Sequence, residues 1–256
     1  MGDIPEIIGL NIGAGHAFKE KKWENLDYIG NKYCKNDYIP HINLDLNSLK
    51  KINRDNKTYD CIYSSHTIEH LLNEPVANIF SESFRLLKDN GIIRISCPDY
   101  DKMFNAGMNN ISVSPGIGIR KFKERWNAFD AFLYKSFTFC HRRGREFDKN
   151  GEFNDEIVTK KKFFDLLKEG GKEHAFNYCY NICKKYNLKY ADVYSGYHIN
   201  WWNEEKLTKY LKQAGFSDIK VYPRNGLSYT NSMIGPNFGD SMPGWSIFIE
   251  AKKQLQ

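Results

Sequence analysis

Five side chains able to accept a proton near neutral pH recur where apolar runs of this sequence end. His66, Glu69 and His70 fall in one short stretch, Asp99 follows Pro98, and His198 lies in Tyr197-His-Ile-Asn-Trp-Trp202. Imidazole is the usual general base at physiological pH, and a carboxylate serves the same chemistry when its surroundings raise its basicity. His198 is the first choice as base, with His70 and Asp99 as further catalytic candidates. Tyr197, Trp201 and Trp202 are candidates to wall a substrate pocket, and Glu69 is a candidate substrate contact. Each has a structural alternative: Glu69 and His70 open a helix, where a carboxylate caps the first turn, and a histidine among rings can be a core residue.

A second set of residues suits a nucleoside. Ile7, Ile8, Leu10 and Ile12 form an apolar run that stops at Gly13-Ala14-Gly15, the pattern of a buried parallel strand breaking into a glycine turn. Such a turn lets backbone approach a ligand closely. Asp27 ends the next apolar stretch, where a carboxylate can accept two hydrogen bonds from a ribose diol. Asp45, at the end of an expected strand 38–45, suits an exocyclic amine. Either aspartate could instead be a turn or cap residue. Phe18 stands where a dinucleotide fingerprint needs its third glycine, which disfavours a nicotinamide dehydrogenase.

The elements that must hold these groups alternate. A strand at 59–65 precedes His66, an amphipathic helix runs from Glu74 to Lys88 and stops at Asp89-Asn90-Gly91, and a strand at 92–97 ends at Pro98. This order predicts βαβ units and a parallel sheet. Few residues separate Gly15 from Asp27, so either the first crossover helix is reduced to a turn or two, or the strand at 25–28 is not parallel to the first. Residues 101–200 break the pattern with helical stretches near 120–140, 159–169 and 172–187, and read as a helical insertion like a lid. The sheet pattern returns with a helix at 204–214 and strands at 219–222 and 245–251. The expected domains are thus 1–100 with 200–256, which bind cofactor, and the insertion 101–199.

Composition bounds the partners. The chain has 256 residues, 41% of them hydrophobic, with no apolar run long enough for a membrane span and no secretory signal in its opening residues. Its six scattered cysteines lack metal-site spacing, so no metal is expected and a reducing, cytoplasmic setting fits. Of the net charge of +6, residues 101–200 carry a surplus of that size, with 18 basic and 12 acidic side chains beside 19 aromatic residues. That surplus suggests an anionic acceptor or, equally, a solvated lysine-rich face. The aromatic residues read as core or as a cage.

The motifs together are familiar. Leu10-Asn-Ile-Gly-Ala-Gly15 with Trp23-Glu-Asn-Leu-Asp27 resembles the opening of class I S-adenosylmethionine-dependent methyltransferases. Three later stretches fit the same pattern: Tyr59 to Leu71, Phe84-Arg-Leu-Leu-Lys-Asp-Asn-Gly91 with Arg94 to Asp99, and Leu211-Lys-Gln-Ala-Gly-Phe216. The resemblance covers 7–99 and 200–252. It departs at Ala14, where cysteine is usual, and at Asp89-Asn90, where Pro-Gly is usual. It implies a Rossmann-like α/β fold with a seven-stranded, mostly parallel sheet whose last strand is antiparallel, and S-adenosyl-L-methionine as cofactor. Carried over, Gly13, Ala14 and Gly15 cradle the methionine end, Asp27 holds the ribose, and Asp45 with the amide of Leu46 reads the adenine. Ser65 and His66 border the methionine portion.

For the acceptor, the basic and aromatic segment suggests a small phosphorylated or sugar compound, O- or N-methylated, in a surface-polysaccharide pathway. A phosphoamine of the phosphoethanolamine kind is the alternative, its phosphate held by Arg or Lys and its ammonium by aromatic faces. An RNA methyltransferase is suggested by Arg142-Arg143-Gly-Arg145 and Lys160-Lys161-Lys162, but a pI near 8.8 is low for a nucleic-acid domain. A cofactor-binding protein without activity is a further reading.

Overall fold

Seven strands form one sheet in the order β3-β2-β1-β4-β5-β7-β6 in the computed structural model, which describes residues 9–15, 22–30, 39–109, 111, 127–141, 157–194, 196–222 and 244–254. The strands are β1 (Gly9–Ile12), β2 (Trp23–Asp27), β3 (Ile42–Asn43), β4 (Tyr59–Ser65), β5 (Leu87–Pro98), β6 (Ser217–Val221) and β7 (Ser246–Lys252). β3, β2, β1, β4 and β5 pair in parallel, and β6 pairs antiparallel with β7. The Rossmann-like mixed sheet expected from the sequence is therefore observed. Chain order runs outward from β1 through β2 to β3 on one side and from β4 to β5 on the other, so the sheet has its topological switch point between β1 and β4. In open α/β sheets ligands bind outside the carboxyl ends of the strands at that point.

Burial explains the strands' composition. Gly9–Ile12 is wholly buried, and so is nearly all of Tyr59–Ser65, as parallel strands covered on both faces require. Alternation sends Ile93, Ile95 and Cys97 into one core with Leu10, Ile12, Leu26 and Ile249. Helix α1 (Asn73–Leu86) adds Val76, Ile79 and Phe80 to this core, and α5 (Glu204–Gln213) adds Leu207 and Leu211. Each such side chain contributes roughly 1.5–3 kcal/mol on burial, enough to anchor the loops that precede these helices. The other face carries Trp23, Cys61 and Tyr63, and a buried ion pair of 2.7 Å from Arg94 to Glu250.

The polar network at β2 and β4 is structural. Arg54 donates to both oxygens of Glu24, at 2.9 and 2.7 Å, and the Tyr59 hydroxyl donates to the same carboxylate. The Arg54 bond holds the Glu24 carboxyl below its usual range, while burial, aided by Glu24, pushes the Tyr59 phenol up.

Several boundaries differ from the sequence reading. Helix α1 ends at Leu86 rather than Lys88, because Leu87 pairs with Tyr59 and the ladder overrides a helix-favouring Leu-Lys sequence. Residues 88–91 form an irregularity of β5, tied to β7 by Asn90 N to Lys253 O at 2.8 Å and Lys253 N to Gly91 O at 2.9 Å. The strand expected at 38–45 is only Ile42–Asn43 among the described residues. β2 is parallel to β1, which removes the non-parallel alternative for that strand. The reduced crossover helix, residues Ile7 and Ile8, and the Arg142–Arg145 patch lie outside the described residues.

Contact clustering divides the chain into two compact units, 1–97 with 202–256, and 98–201. The second holds α2 (Tyr100–Met108), α3 (Ala128–Ser136), a 3-10 turn at Thr138–Cys140 and the long α4 (Lys160–Tyr194). Its interior is a cluster of rings. Phe132 meets Phe163 edge-on at 5.7 Å, Phe104 meets Phe176 at 5.8 Å, and Tyr100 meets Phe137 at 5.5 Å. These described rings are core. The two helical stretches expected at 159–169 and 172–187 are one element, with Gly171 at φ +77° where the sequence placed the break.

Candidate active site

β1 ends at the switch point in a turn that only glycine fits well. Gly13 has φ +72°, and a Cβ there would overlap the side chain of Thr67, the residue two beyond β4. Gly13 N and Ala14 N both donate to Leu26 O, at 2.9 and 3.3 Å. Gly15 has φ +57° but no atom within 4 Å of where its Cβ would stand. One glycine thus closes the backbone onto β4, and the next opens a space.

Asp27 governs that opening. Its side chain is buried, its Oδ2 accepts from Gly15 N at 2.7 Å, and its Oδ1 accepts from Tyr28 N at 2.7 Å. The carboxylate is thereby locked in orientation at the end of β2. Asp45 lies in the exposed turn beyond β3. Its Oδ1 caps the 3-10 turn Leu46–Ser48 by accepting from Asn47 N at 2.9 Å, so the cap role weighed for it is present in the structure. Ser48 N and Ser48 Oγ both donate to Asp45 O, which fixes the turn carrying Leu46.

The end of β4 is more tightly organised than the sequence suggested. Ser65 receives a hydrogen bond from Ser96 Oγ at 2.8 Å. His66 has φ +50°, a left-handed backbone uncommon outside glycine, and its N–H donates to Ser96 O at 2.9 Å. Its Nδ1 is 3.0 Å from Glu69 Oε1 and its Nε2 3.0 Å from Ser246 Oγ. Glu69 is fully buried, with His70 Nε2 3.9 Å from the same Oε1. Glu69 and His70 occupy a 3-10 turn, Ile68–His70, not the start of a long helix. Trp202 Nε1 donates to Ile68 O at 3.1 Å and so pins this turn.

The remaining expected site residues have evident packing duties. Trp202 is fully buried in the sheet's core, edge-on to Tyr210 at 5.2 Å. Trp201 lies in the aromatic unit, its Nε1 donating to Asn177 Oδ1 at 3.0 Å and its ring 5.3 Å from Phe176. Asp99 N-caps α2, accepting from Asp101 N and Lys102 N at 3.1 and 3.2 Å, and pairs with Lys102 at 3.1 Å. Tyr197 meets Phe139 at 5.5 Å, and the carbonyl of His198 accepts from Thr138 N at 3.0 Å. Sequence reasoning missed Thr67, Ser96 and Ser246. Thr67 and Ser96 lie inside recognised motifs and carried a local signal, whereas Ser246 carried none.

These residues fit an adenosyl sulfonium. An anchored carboxylate stands at the end of β2, a second exposed one at the end of β3, and space lies open at Gly15. The fold and this turn define an α/β nucleoside-binding domain with the strand order of class I methyltransferases. A family model described as a methyltransferase domain matches residues 12–221, and the chain belongs to that family. No curated protein matches it. Among solved structures it is similar to an S-adenosylmethionine-dependent methyltransferase from Mesorhizobium loti, at 14% identity over 97% of this chain and 93% of that one, with a TM-score of 0.46. It is also similar to a SAM-dependent methyltransferase from Archaeoglobus fulgidus, at 14% identity over 96% and 86%, with a TM-score of 0.42. The family expected from the sequence is borne out, and with it the enzyme class.

Proposed function

We propose that this methyltransferase uses S-adenosyl-L-methionine to methylate a small phosphorylated or sugar acceptor, with the cofactor seated by Gly13, Ala14, Gly15, Asp27, Asp45, Leu46, Ser65 and His66. The observation that carries the reading is the Gly15–Asp27 pair: an amide and a buried carboxylate bonded at 2.7 Å beside open space. When bound, the cofactor supplies an activated methyl group, so the protein's work is to hold an acceptor atom in line and exclude water. A hydroxyl or ammonium acceptor must also lose a proton. His66, His70 and His198 are the imidazoles available for it, whereas Asp99 is engaged as a helix cap.

The acceptor class rests on charge. The basic surplus of residues 101–200 suits a phosphate or a nucleotide-linked sugar. A phosphoamine held in an aromatic cage is the weaker reading, because the described rings of 98–201 pack on one another. RNA is weaker still, since Lys160 and Lys162 lie over Phe164 and Tyr178 and Lys172 pairs with Asp101. No described helix is long and apolar enough to cross a membrane. A cytoplasmic setting belongs to the same proposal, and the five described cysteines are free thiols.

Calorimetry with S-adenosylhomocysteine tests the cofactor site, and micromolar binding is expected. Incubation with methyl-labelled S-adenosylmethionine and a panel of a nucleotide-hexose, phosphoethanolamine and RNA tests the acceptor, with label expected in the hexose. Label in RNA alone, or no binding of S-adenosylhomocysteine by folded protein, overturns the reading.

A further inference from the structure

The geometry points to His66 as the proton acceptor of the methyl-transfer step and to Glu69 as the residue that positions it. This rests on the methyl-transfer reading above and adds the identity of the base. Glu69, His66 and Ser246 form a directed chain. A carboxylate can only accept, so the bond from His66 Nδ1 to Glu69 Oε1 at 3.0 Å places the ring hydrogen of neutral His66 on Nδ1. Nε2 is then the lone-pair nitrogen, and the Ser246 hydroxyl 3.0 Å away donates to it. The same order of carboxylate, imidazole and hydroxyl orients the base of serine hydrolases.

Three observations separate this chain from ordinary packing. Glu69 is fully buried although it carries a carboxylate, and Ser246 is buried as well, while the ring between them is partly exposed, so both ends of the chain are dry and its middle is accessible. His66 adopts φ +50°, a conformation a bulky residue keeps only when its surroundings over-determine it, and such outliers cluster at functional sites. Its bonds reach three strands at the carboxyl end of the sheet: its own β4, Ser96 of β5 through the backbone, and Ser246 of β7 through the ring. Trp202 pins the turn that presents Glu69. The imidazole is held as rigidly as a base needs to be, beside the switch point.

In the step, an acceptor hydroxyl or ammonium replaces Ser246 as the donor to Nε2. His66 Nε2 would take the acceptor's proton, which leaves an ammonium nitrogen with the lone pair it lacked and a hydroxyl oxygen with a stronger one, for the methyl group that the bound cofactor would supply, the pair of the broken bond staying on the cofactor's sulfur. The positive charge of the sulfonium is replaced by that of an imidazolium, which Glu69 compensates, and the proton then leaves to water from the exposed edge of the ring.

Nitrogen-15 spectra of the histidine rings at pH 8 test the arrangement without turnover, with His66→Asn assigning the signal. His66 is expected as the Nδ1–H tautomer in the wild type and in Ser246→Ala. In Glu69→Gln the tautomers mix, because a carboxamide donates as well as accepts. An Nε2–H tautomer in the wild type, or a spectrum unchanged by Glu69→Gln, overturns the proposal. With a nucleotide-hexose or phosphoethanolamine, whichever takes label, His66→Asn lowers kcat by roughly 10²–10⁴-fold. Glu69→Gln lowers kcat by roughly tenfold or more, with KM for the acceptor and calorimetric affinity for S-adenosylhomocysteine within about threefold, since Glu69 acts on proton transfer rather than binding. Unchanged kcat overturns the assignment, and the spectra decide it if neither acceptor takes label. Failure of the wild type to bind S-adenosylhomocysteine overturns the methyl-transfer reading and leaves the tautomer result standing.

Discussion

The two compact units spend their buried residues differently. In 1–97 with 202–256, the carboxyl ends of the strands gather buried Asp27 and Glu69, the hydroxyls of Ser96 and Ser246, and three left-handed positions, Gly13, Gly15 and His66. In 98–201, the buried volume goes to rings that meet edge-on, and charges such as Lys172 and Asp101 pair on the surface. Polar burial and backbone strain both cost stability, so a fold concentrates them where chemistry needs fixed dipoles. Aromatic burial costs little and specifies shape. The two units therefore differ in what they bury at these places: polar groups at the ends of strands in one and packed rings in the other.

The comparison predicts separable defects. Phe132→Ala, in the middle of the ring cluster, is expected to lower stability by about 3–5 kcal/mol in denaturant titration. Hydrogen exchange should localise the loss to 98–201 while S-adenosylhomocysteine still binds, and equal loss of that binding would break that separation. Asp27→Asn removes a charge bonded to two amides and facing the opening. A charged hydrogen bond is worth about 1.5–3 kcal/mol, so calorimetric affinity should fall by roughly 10–100-fold, with a stability loss of about 1–3 kcal/mol because the amide nitrogen cannot accept from the second backbone N–H.

The glycines sharpen the picture within the first unit. Gly13→Ala places a methyl group against Thr67 at φ +72° and should cost about 1–3 kcal/mol of stability. Gly15→Ala meets no neighbour, so it should cost about 1 kcal/mol and act mainly on cofactor affinity. Equal effects of the two substitutions on stability would show that the space at Gly15 is not the ligand's.

The smallest effect concerns Glu24. Its folded-state pKa is depressed, first by the Arg54 hydrogen bond, so its contribution is present above its ordinary unfolded value near 4.3 and is lost as pH falls through the lower folded value. The pair is partly exposed, so the contribution should be about 1 kcal/mol or less. Unfolding midpoints measured between pH 6 and 3 should fall less steeply in Arg54→Gln than in the wild type.

Much of the sheet unit was legible in order. The glycine turn, Asp27 and the strand before Ser65 follow from apolar runs and turn residues that act locally, and the antiparallel close of the sheet from the family resemblance. Local reading failed where partners are distant in the chain. The end of α1 was misplaced because Tyr59 claims Leu87 for a ladder. Trp201 and Trp202, neighbours in sequence and both expected to wall a pocket, go into the cores of different units. Asp45 kept the cap role that the sequence left open.

By itself the sequence determined the family and the glycine turn that closes β1, because these depend on short motifs whose backbone needs are met within a few residues. Only the tertiary structure decided what His66 bonds to. Ser246 lies 180 positions from His66 along the chain, and the hydrogen bond that orients the ring exists only once β7 has joined the sheet.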